Sequence, residues 1–347
     1  MEGSSAYMDD EELSKGIPKL DSTEFWYVNV KISILRAALE LHVWDKVAGG
    51  TTRAEDMVSE EGWDPVGTTV LLDALCGMGL LCKDSRGYCL TPLSDFYLVK
   101  TKSTYMGDVR IAQLTWEHRG TLADAIRNGK RPIVKNWTDS EMEAVWAGHS
   151  IPCRLSPDRY MKYYEALWPA LGFEKSKNIH VLDVACGTAA ETLCLALQNP
   201  SSKIALQDRP RVLEEAARIA ESLGVSSQVT YVPGDWEAVD FGGDYDVVLL
   251  GSIAHFYGPE GVTRLFSKAR KALLPGGTAI VSGPLPDESR CTEEYPLVSA
   301  VWVYATSEEG TMYTFSEYRS LLEHARFENI ELLEYKGNKY ISARSQK

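Results

Sequence analysis

The sequence predicts an α/β protein, with a parallel, doubly wound sheet in its C-terminal half and a mostly helical domain before it. Three observations carry this. Beyond Asn178, short apolar runs alternate with amphipathic stretches, the order that a parallel sheet with crossover helices requires. Before Thr91 the apolar spacing is helical and is interrupted by one small hairpin signal. At 347 residues the chain exceeds a comfortable single core, so two domains are expected.

The N-terminal elements follow in order. Residues 1–20 are acidic, lack an apolar core and read as a solvated tail, neither a secretion signal nor a transit peptide. From Val28 to Val47 the residues Ile34, Leu35, Ala38, Leu41 and Trp44 recur at helical spacing and predict one amphipathic helix. Thr52-Arg-Ala-Glu55 has the pattern of a capping box and predicts the start of a short helix. Asp64-Pro65 places an N-cap before a proline at the first helical position, opening a helix that carries Val66, Leu71, Leu72, Leu75, Cys76 and Met78. Leu80-Leu81-Cys82 and Tyr88-Cys89-Leu90 flank the turn Lys83–Gly87 as a hairpin, and Thr91-Pro92 starts another helix. Helices followed by a hairpin make a winged-helix layout. Such domains often read DNA, but from Ala54 to Cys82 there is no Lys or Arg to meet phosphates or base edges. The module, residues 21–104, is therefore expected to serve packing or dimerisation.

Residues 105–175 read as a mostly helical linker rich in tryptophan, with Trp116, Trp137, Trp146 and Trp168, and are expected to help cover a substrate pocket. From residue 176 to 347 the second domain unfolds strand by strand. Ile179–Val184, Ile204–Gln207, Val229–Val232, Tyr245–Gly251 and Thr278–Ser282 are predicted strands. Helices over Ala190–Leu197, Val212–Leu223 and Gly261–Leu274 connect them. A last helix, Phe315–Ala325, precedes the hairpin Ile330–Tyr335 and Lys339–Ala343, expected as an antiparallel edge.

Composition narrows the function classes. Apolar residues make up 44% and charged residues 24%, which is ordinary for a folded protein, and the net charge is -13. That charge disfavours nucleic acid and anionic membranes as partners. No stretch approaches the ~20 apolar residues of a membrane span, so a cytoplasmic protein is expected. Seven cysteines, with Cys76, Cys186 and Cys194 inside apolar runs, predict reduced, mostly buried thiols. No cluster of metal-ligating residues stands out, and no metal is expected.

In a doubly wound sheet the ligand sits at the carboxyl ends of the strands, where strand order reverses. The first strand ends in Asp183-Val-Ala185-Cys-Gly187-Thr-Ala189, a small-residue turn that lets a ligand approach the backbone. The second ends in Asp208, followed by Arg209, where a carboxylate can take two ribose hydroxyls. The turn is not GxGxxG, because Ala185 and Ala190 hold the first and third glycine positions, which weighs against a nicotinamide dinucleotide. Gly234-Asp235-Trp236 follows the third strand, where an acid can meet the adenine amino group and a ring can cover the base. Ser252-Ile-Ala-His255-Phe-Tyr-Gly-Pro-Glu260 follows the fourth, and Pro275-Gly-Gly277 closes the next helix.

In this order and spacing, residues 178–283 resemble a class I methyltransferase. With Ala37-Ala-Leu-Glu-Leu41, the hairpin ending Tyr88-Cys-Leu-Thr91 and the stretch from Trp116 to Gly129, the chain resembles the small-molecule O-methyltransferases that include caffeate, hydroxyindole and bacterial polyketide enzymes. The resemblance implies a Rossmann-like catalytic domain behind a winged-helix dimerisation domain, an intertwined homodimer, S-adenosylmethionine as cofactor and a small-molecule acceptor. It places Asp183, Ala185 and Gly187 at the methionine end, Asp208 at the ribose, and Asp235 and Trp236 at adenine, with Arg209, Gly234 and Ser252 as further cofactor-binding residues. His255 falls where the family keeps its general base. The sequence departs from that pattern in having Phe256 after the histidine, and Ser282-Gly-Pro-Leu and Met312-Tyr-Thr-Phe where acids are expected. A role for His255 as a mere pocket residue therefore stays open. So do carbon or nitrogen methylation and use of the bound cofactor without methyl transfer. Trp116, Trp146, Tyr160, Tyr164 and Trp302 are the candidate substrate-pocket residues.

Overall fold

The computed structural model describes residues 22–107, 122–129, 138–173 and 178–346. The chain divides into two compact units, Met1–Gly107 and Asp108–Lys347. The tail expected over residues 1–20 lies outside the described residues, as do Trp116 and Trp137.

In the first unit, α1 (Ser22–Glu40) and α2 (Val43–Ala48) replace the single helix predicted across Val28–Val47. The break is at His42, whose φ of 53° puts it in the left-handed region. Apolar spacing continues across it, since Ala38, Leu39, Val43, Trp44 and Val47 are all buried, so periodicity alone carries no sign of the kink. Trp44 donates its indole N–H to the carbonyl of Leu80 at 3.0 Å, satisfying its one polar atom in the core.

Helix α3 (Ala54–Glu61) forms, but without the expected capping box: Arg53 is its N-cap and makes no side-chain cap bond. Thr52 is committed elsewhere, its carbonyl accepting Tyr88 N–H at 2.7 Å and its hydroxyl donating to the Arg86 carbonyl. Helix α4 (Pro65–Gly77) opens as predicted, with an Asp64 carboxylate oxygen accepting Gly67 N–H at 2.6 Å. Strands β1 (Leu81–Asp84) and β2 (Gly87–Leu90) make the hairpin, and α5 (Pro92–Tyr97) is capped by Thr91. Cys82 and Cys89 stand directly opposite across that hairpin and are joined as a disulfide, with Cα atoms 4.9 Å apart. This corrects the expectation of uniformly reduced thiols: a separation of seven residues becomes a contact only once the hairpin register is known.

The second unit begins its described part with α6 (Leu122–Asn128), α7 (Asp139–His149), α8 (Ile151–Leu155), α9 (Pro157–Tyr164) and α10 (Leu167–Ala170). Then come β3 (His180–Val184), α11 (Ala190–Gln198), β4 (Lys203–Asp208), α12 (Pro210–Ser222) and β5 (Val229–Pro233). They are followed by β6 (Tyr245–Gly251), α13 (Pro259–Ala272), β7 (Leu273–Ser282), α14 (Glu294–Thr306), α15 (Phe315–His324), β8 (Phe327–Tyr335) and β9 (Asn338–Ser345).

These strands form a seven-stranded sheet in the order β5-β4-β3-β6-β7-β9-β8. The first five are parallel and β9 is antiparallel to both β7 and β8, which is the predicted antiparallel edge. The central strands are near-continuous apolar runs because both faces are covered. Along β6, Val247 and Leu249 join one apolar layer with α11 and α12, while Val248 and Leu250 join the other with α13 and α15. Helix α12 shows why such crossovers fold, since it buries Val212, Leu213, Ala216, Ile219 and Ala220, a stripe at helical spacing. The chain travels outward from β3 to β5 and then crosses to β6 on the other side of β3. The reversal of strand order therefore lies between the carboxyl ends of β3 and β6.

Candidate functional site

The loop from Ala185 to Ala189 connects β3 to α11 and holds three left-handed residues: Ala185, Gly187 and Ala189, with φ of 53°, 52° and 51°. Only glycine adopts this conformation freely; an alanine there costs roughly 1–2 kcal/mol. Across the switch point Ser252, the residue after β6, is also left-handed at 52°. Left-handed alanine and serine residues thus stand at the carboxyl ends of both central strands. A Cβ on Gly187 would meet nothing within 4 Å, so the loop opens onto free space. Replacing Ala185 with glycine is expected to stabilise the protein by about 1 kcal/mol, read as a higher urea midpoint at unchanged slope. An unchanged or lower midpoint would show that the left-handed turn stores no strain.

Around this loop the polar groups are ordered by the sheet. Asp183 is buried, and its carboxylate accepts the hydroxyl of Thr192 at 2.7 Å, tying the strand to the first turn of α11. Burial raises its pKa well above the ordinary carboxylate value. Asp208 ends β4. One oxygen accepts Gly187 N–H at 2.9 Å and the other accepts Arg209 N–H at 2.7 Å. Burial raises its pKa too, opposed by those backbone donors. Asp235 accepts from the Arg209 guanidinium at 3.1 Å and from Glu237 N–H at 2.9 Å, so the two acids share one ledge through Arg209.

Gly234 needs to be glycine: its φ is 133°, and a Cβ would lie 2.5 Å from Val239. Trp236, expected as an open ring over a base, is only 5% exposed and packs in the core beneath that ledge, donating its N–H to the Tyr257 hydroxyl at 2.7 Å. One organising residue was missed by sequence reasoning. Gln207, 1% exposed, donates its amide to the Gly234 carbonyl at 2.7 Å, and its side-chain oxygen accepts Ala185 N–H at 3.3 Å, fastening the two loops together. A lone glutamine in an apolar strand carries no local signal of that role.

His255 sits in a short 3-10 turn after β6 and is 5% exposed. Burial alone lowers its pKa to about 4; no carboxylate among the described residues contributes to the shift. Its Nδ1 faces Gly283, 3.5 Å from where a Cβ on that glycine would stand. Beside it Phe256, Trp146 and Trp302 form an edge-to-face triangle with ring centroids 5.6, 5.6 and 6.5 Å apart. All three are partly accessible. Trp146 and Trp302 are thus brought together as candidates, joined by Phe256, which sequence reasoning had noted only as a break in the expected motif. Tyr160 and Tyr164 lie instead against the apolar layer of α11 and α12. Trp116 is outside the described residues.

Chemically, the carboxyl edge offers the buried Asp183, the half-buried Asp208 and the exposed Asp235 around an open loop, and an aromatic wall beside a neutral imidazole. A pyrophosphate would be repelled there, whereas a nucleoside that carries positive charge is suited to it.

Comparison with known proteins places the chain beside O-methyltransferases. The profile of the O-methyltransferase dimerisation domain matches residues 25–100, and that of the O-methyltransferase domain matches residues 169–328. The tetracenomycin polyketide synthesis 8-O-methyl transferase TcmO of Streptomyces glaucescens is 26% identical over 325 residues, covering 87% of this chain and 89% of that protein. The 3-amino-4-hydroxybenzoate 4-O-methyltransferase of Streptomyces cremeus is 27% identical over 319 residues, covering 88% and 82%. Human N-acetylserotonin methyltransferase, solved in complex with SAM, superposes with a TM-score of 0.64 at 21% identity over 96% of this chain and 100% of that one, a likeness of fold.

Proposed function

We propose, since this chain belongs to the S-adenosylmethionine-dependent O-methyltransferase family, that it methylates an oxygen of a small aromatic or enolic metabolite. The observation that carries the acceptor class is the triangle of Trp146, Phe256 and Trp302 beside His255, a wall suited to a flat ring. When bound, the cofactor supplies an activated methyl group that a nucleophile takes by in-line displacement at carbon, the C–S electron pair leaving with sulfur.

The protein's own residues bind, orient and exclude water. In this reading Asp208 accepts the ribose hydroxyls, Asp235 meets the adenine amino group, and the Ala185–Ala189 loop lets the amino-acid end approach the backbone. The aromatic wall aligns the acceptor oxygen, and His255, neutral at physiological pH, takes its proton. Fixing two reactants in line supplies much of the acceleration such a transfer needs.

The assembly we propose is a homodimer through the N-terminal unit. Phe25 and Trp26 on α1 are 68% and 63% exposed, too much apolar surface to leave in water, and they lie where the dimerisation profile begins. A second copy of this chain is the occupant proposed for that surface.

The test is calorimetric titration of the full chain with S-adenosylmethionine and with NAD, followed by an acceptor screen read by product mass. Micromolar binding of the former alone, and a phenolic product heavier by one CH2 unit, are expected. Binding of NAD, or a converted product carrying no added methyl group, would overturn the reading.

A further inference from the structure

Glu191 has no part in the site so far, yet it stands in the first turn of α11, next to the Ala185–Ala189 loop. It is held from two sides. Its backbone carbonyl accepts the indole N–H of Trp168 at 2.7 Å, and its Oε1 accepts the hydroxyl of Tyr340, on β9, at 2.8 Å. No described residue donates to Oε2. That oxygen is aimed at the end of β6: it lies 3.7 Å from where a Cβ on Gly251 would stand, and Ser282 Oγ is 3.6 Å from the same point. Gly251 closes β6 beside β3, since Leu250 pairs with Val184.

Topology says which part of the ligand arrives there. Asp235 follows β5 and Asp208 ends β4, so a nucleoside on that ledge lies over the β5-β4 side of the sheet. A chain leaving its ribose toward the switch point passes the β3 loop and ends over β6, at Gly251 and Glu191. Electrostatics ask for a cation in that place. Burial raises the pKa of both Asp183 and Glu191, Glu191 and Asp208 add to the rise at Asp183, and the nearby Arg209 is engaged with Asp208 and Asp235. Fixed, partly desolvated carboxylates facing one another are relieved by a ligand that brings positive charge.

We infer that Glu191, oriented by Tyr340, binds the α-ammonium of the cofactor's methionine portion through Oε2. The inference rests on S-adenosylmethionine being the cofactor, and it gives this chain a contact that depends on the amino-acid end of the ligand alone.

The experiment is calorimetry on the full chain with S-adenosylmethionine, S-adenosylhomocysteine and methylthioadenosine, the last keeping nucleoside and sulfur but lacking the amino acid. Glu191→Gln is expected to weaken the first two by ~10-fold or more, the loss of one charge-assisted hydrogen bond. Methylthioadenosine binding should be unchanged, which also reports that the fold is intact. Tyr340→Phe, which keeps the charge but frees its orientation, should give a smaller loss with the same ligand selectivity. The inference is overturned if Glu191→Gln binds S-adenosylmethionine as the wild type does, or loses methylthioadenosine in parallel. A wild type that binds none of the three would overturn the cofactor reading itself, and this inference with it.

Discussion

Asp208→Ala is expected to lower affinity for S-adenosylmethionine by ~10²-fold or more, the largest loss for any single side chain on the binding ledge. A carboxylate has about four acceptor positions. In Asp208 two are taken, by Gly187 N–H and Arg209 N–H. In the proposed reading two ribose hydroxyls fill the remaining positions, each a hydrogen bond to a charged group worth ~1.5–3 kcal/mol. The alanine variant also frees the amide of Gly187, a left-handed residue in a loop already strained at Ala185 and Ala189. Part of its loss is therefore preorganisation rather than contact. Asp208→Asn separates the two, since its single carbonyl can still accept one backbone N–H, and it should fall between wild type and alanine. Titration of both variants with S-adenosylhomocysteine decides it. An alanine variant that binds as tightly as the wild type would remove Asp208 from the site.

Much of the fold was legible because it is periodic. The strands around the switch point are apolar runs between turn residues, and α12 and α13 show a clean apolar stripe, so both their type and order could be read. Legibility failed where one local rule overrode another. His42 interrupts a helix without interrupting its apolar spacing, and Thr52 spends its polar groups on the hairpin instead of on a cap. Helix α14 carries apolar residues on all sides and so no stripe at all; Tyr295, Val298 and Val301 stay exposed along it while Val303 and Ala305 are buried.

The site divides in the same way. Asp183, Gly187, Asp208 and Asp235 could be singled out because strand ends and their turns are marked in sequence. Gln207, Phe256 and Glu191 could not. Each acts through strand register or through an element far along the chain, such as Glu191 with Tyr340, and nothing in their local sequence encodes that partner. Trp236 was marked correctly as lying behind the third strand, but whether its ring would face solvent or core depended on Tyr257, a residue of the next loop.

His255→Ala is expected to lower kcat for a phenolic acceptor by ~10²–10⁴-fold while leaving cofactor affinity in place. The reason lies in what surrounds the ring. With Phe256 as its neighbour and no described carboxylate contributing to its shift, the imidazole is held neutral by burial, with its pKa lowered to about 4. Such a base is always in the right form at physiological pH but is weak, so it cannot strip a free phenol in advance. It can take the proton as the methyl group arrives, because the oxygen becomes strongly acidic once it shares a third bond. The wild-type kcat/KM should then hold down to about pH 4 and fall below it, where an ordinary histidine would lose its base form near 6.5. The same group shapes stability. In the unfolded chain His255 binds a proton at higher pH than in the fold, so stability drops as pH falls from about 6.5 towards 4, by ~3 kcal/mol from this residue. The alanine variant should lose both the acid limb and that part of the pH-dependent destabilisation. A variant that keeps near-normal turnover with an unaltered acid limb would show that His255 only lines the pocket and that the acceptor arrives already ionised.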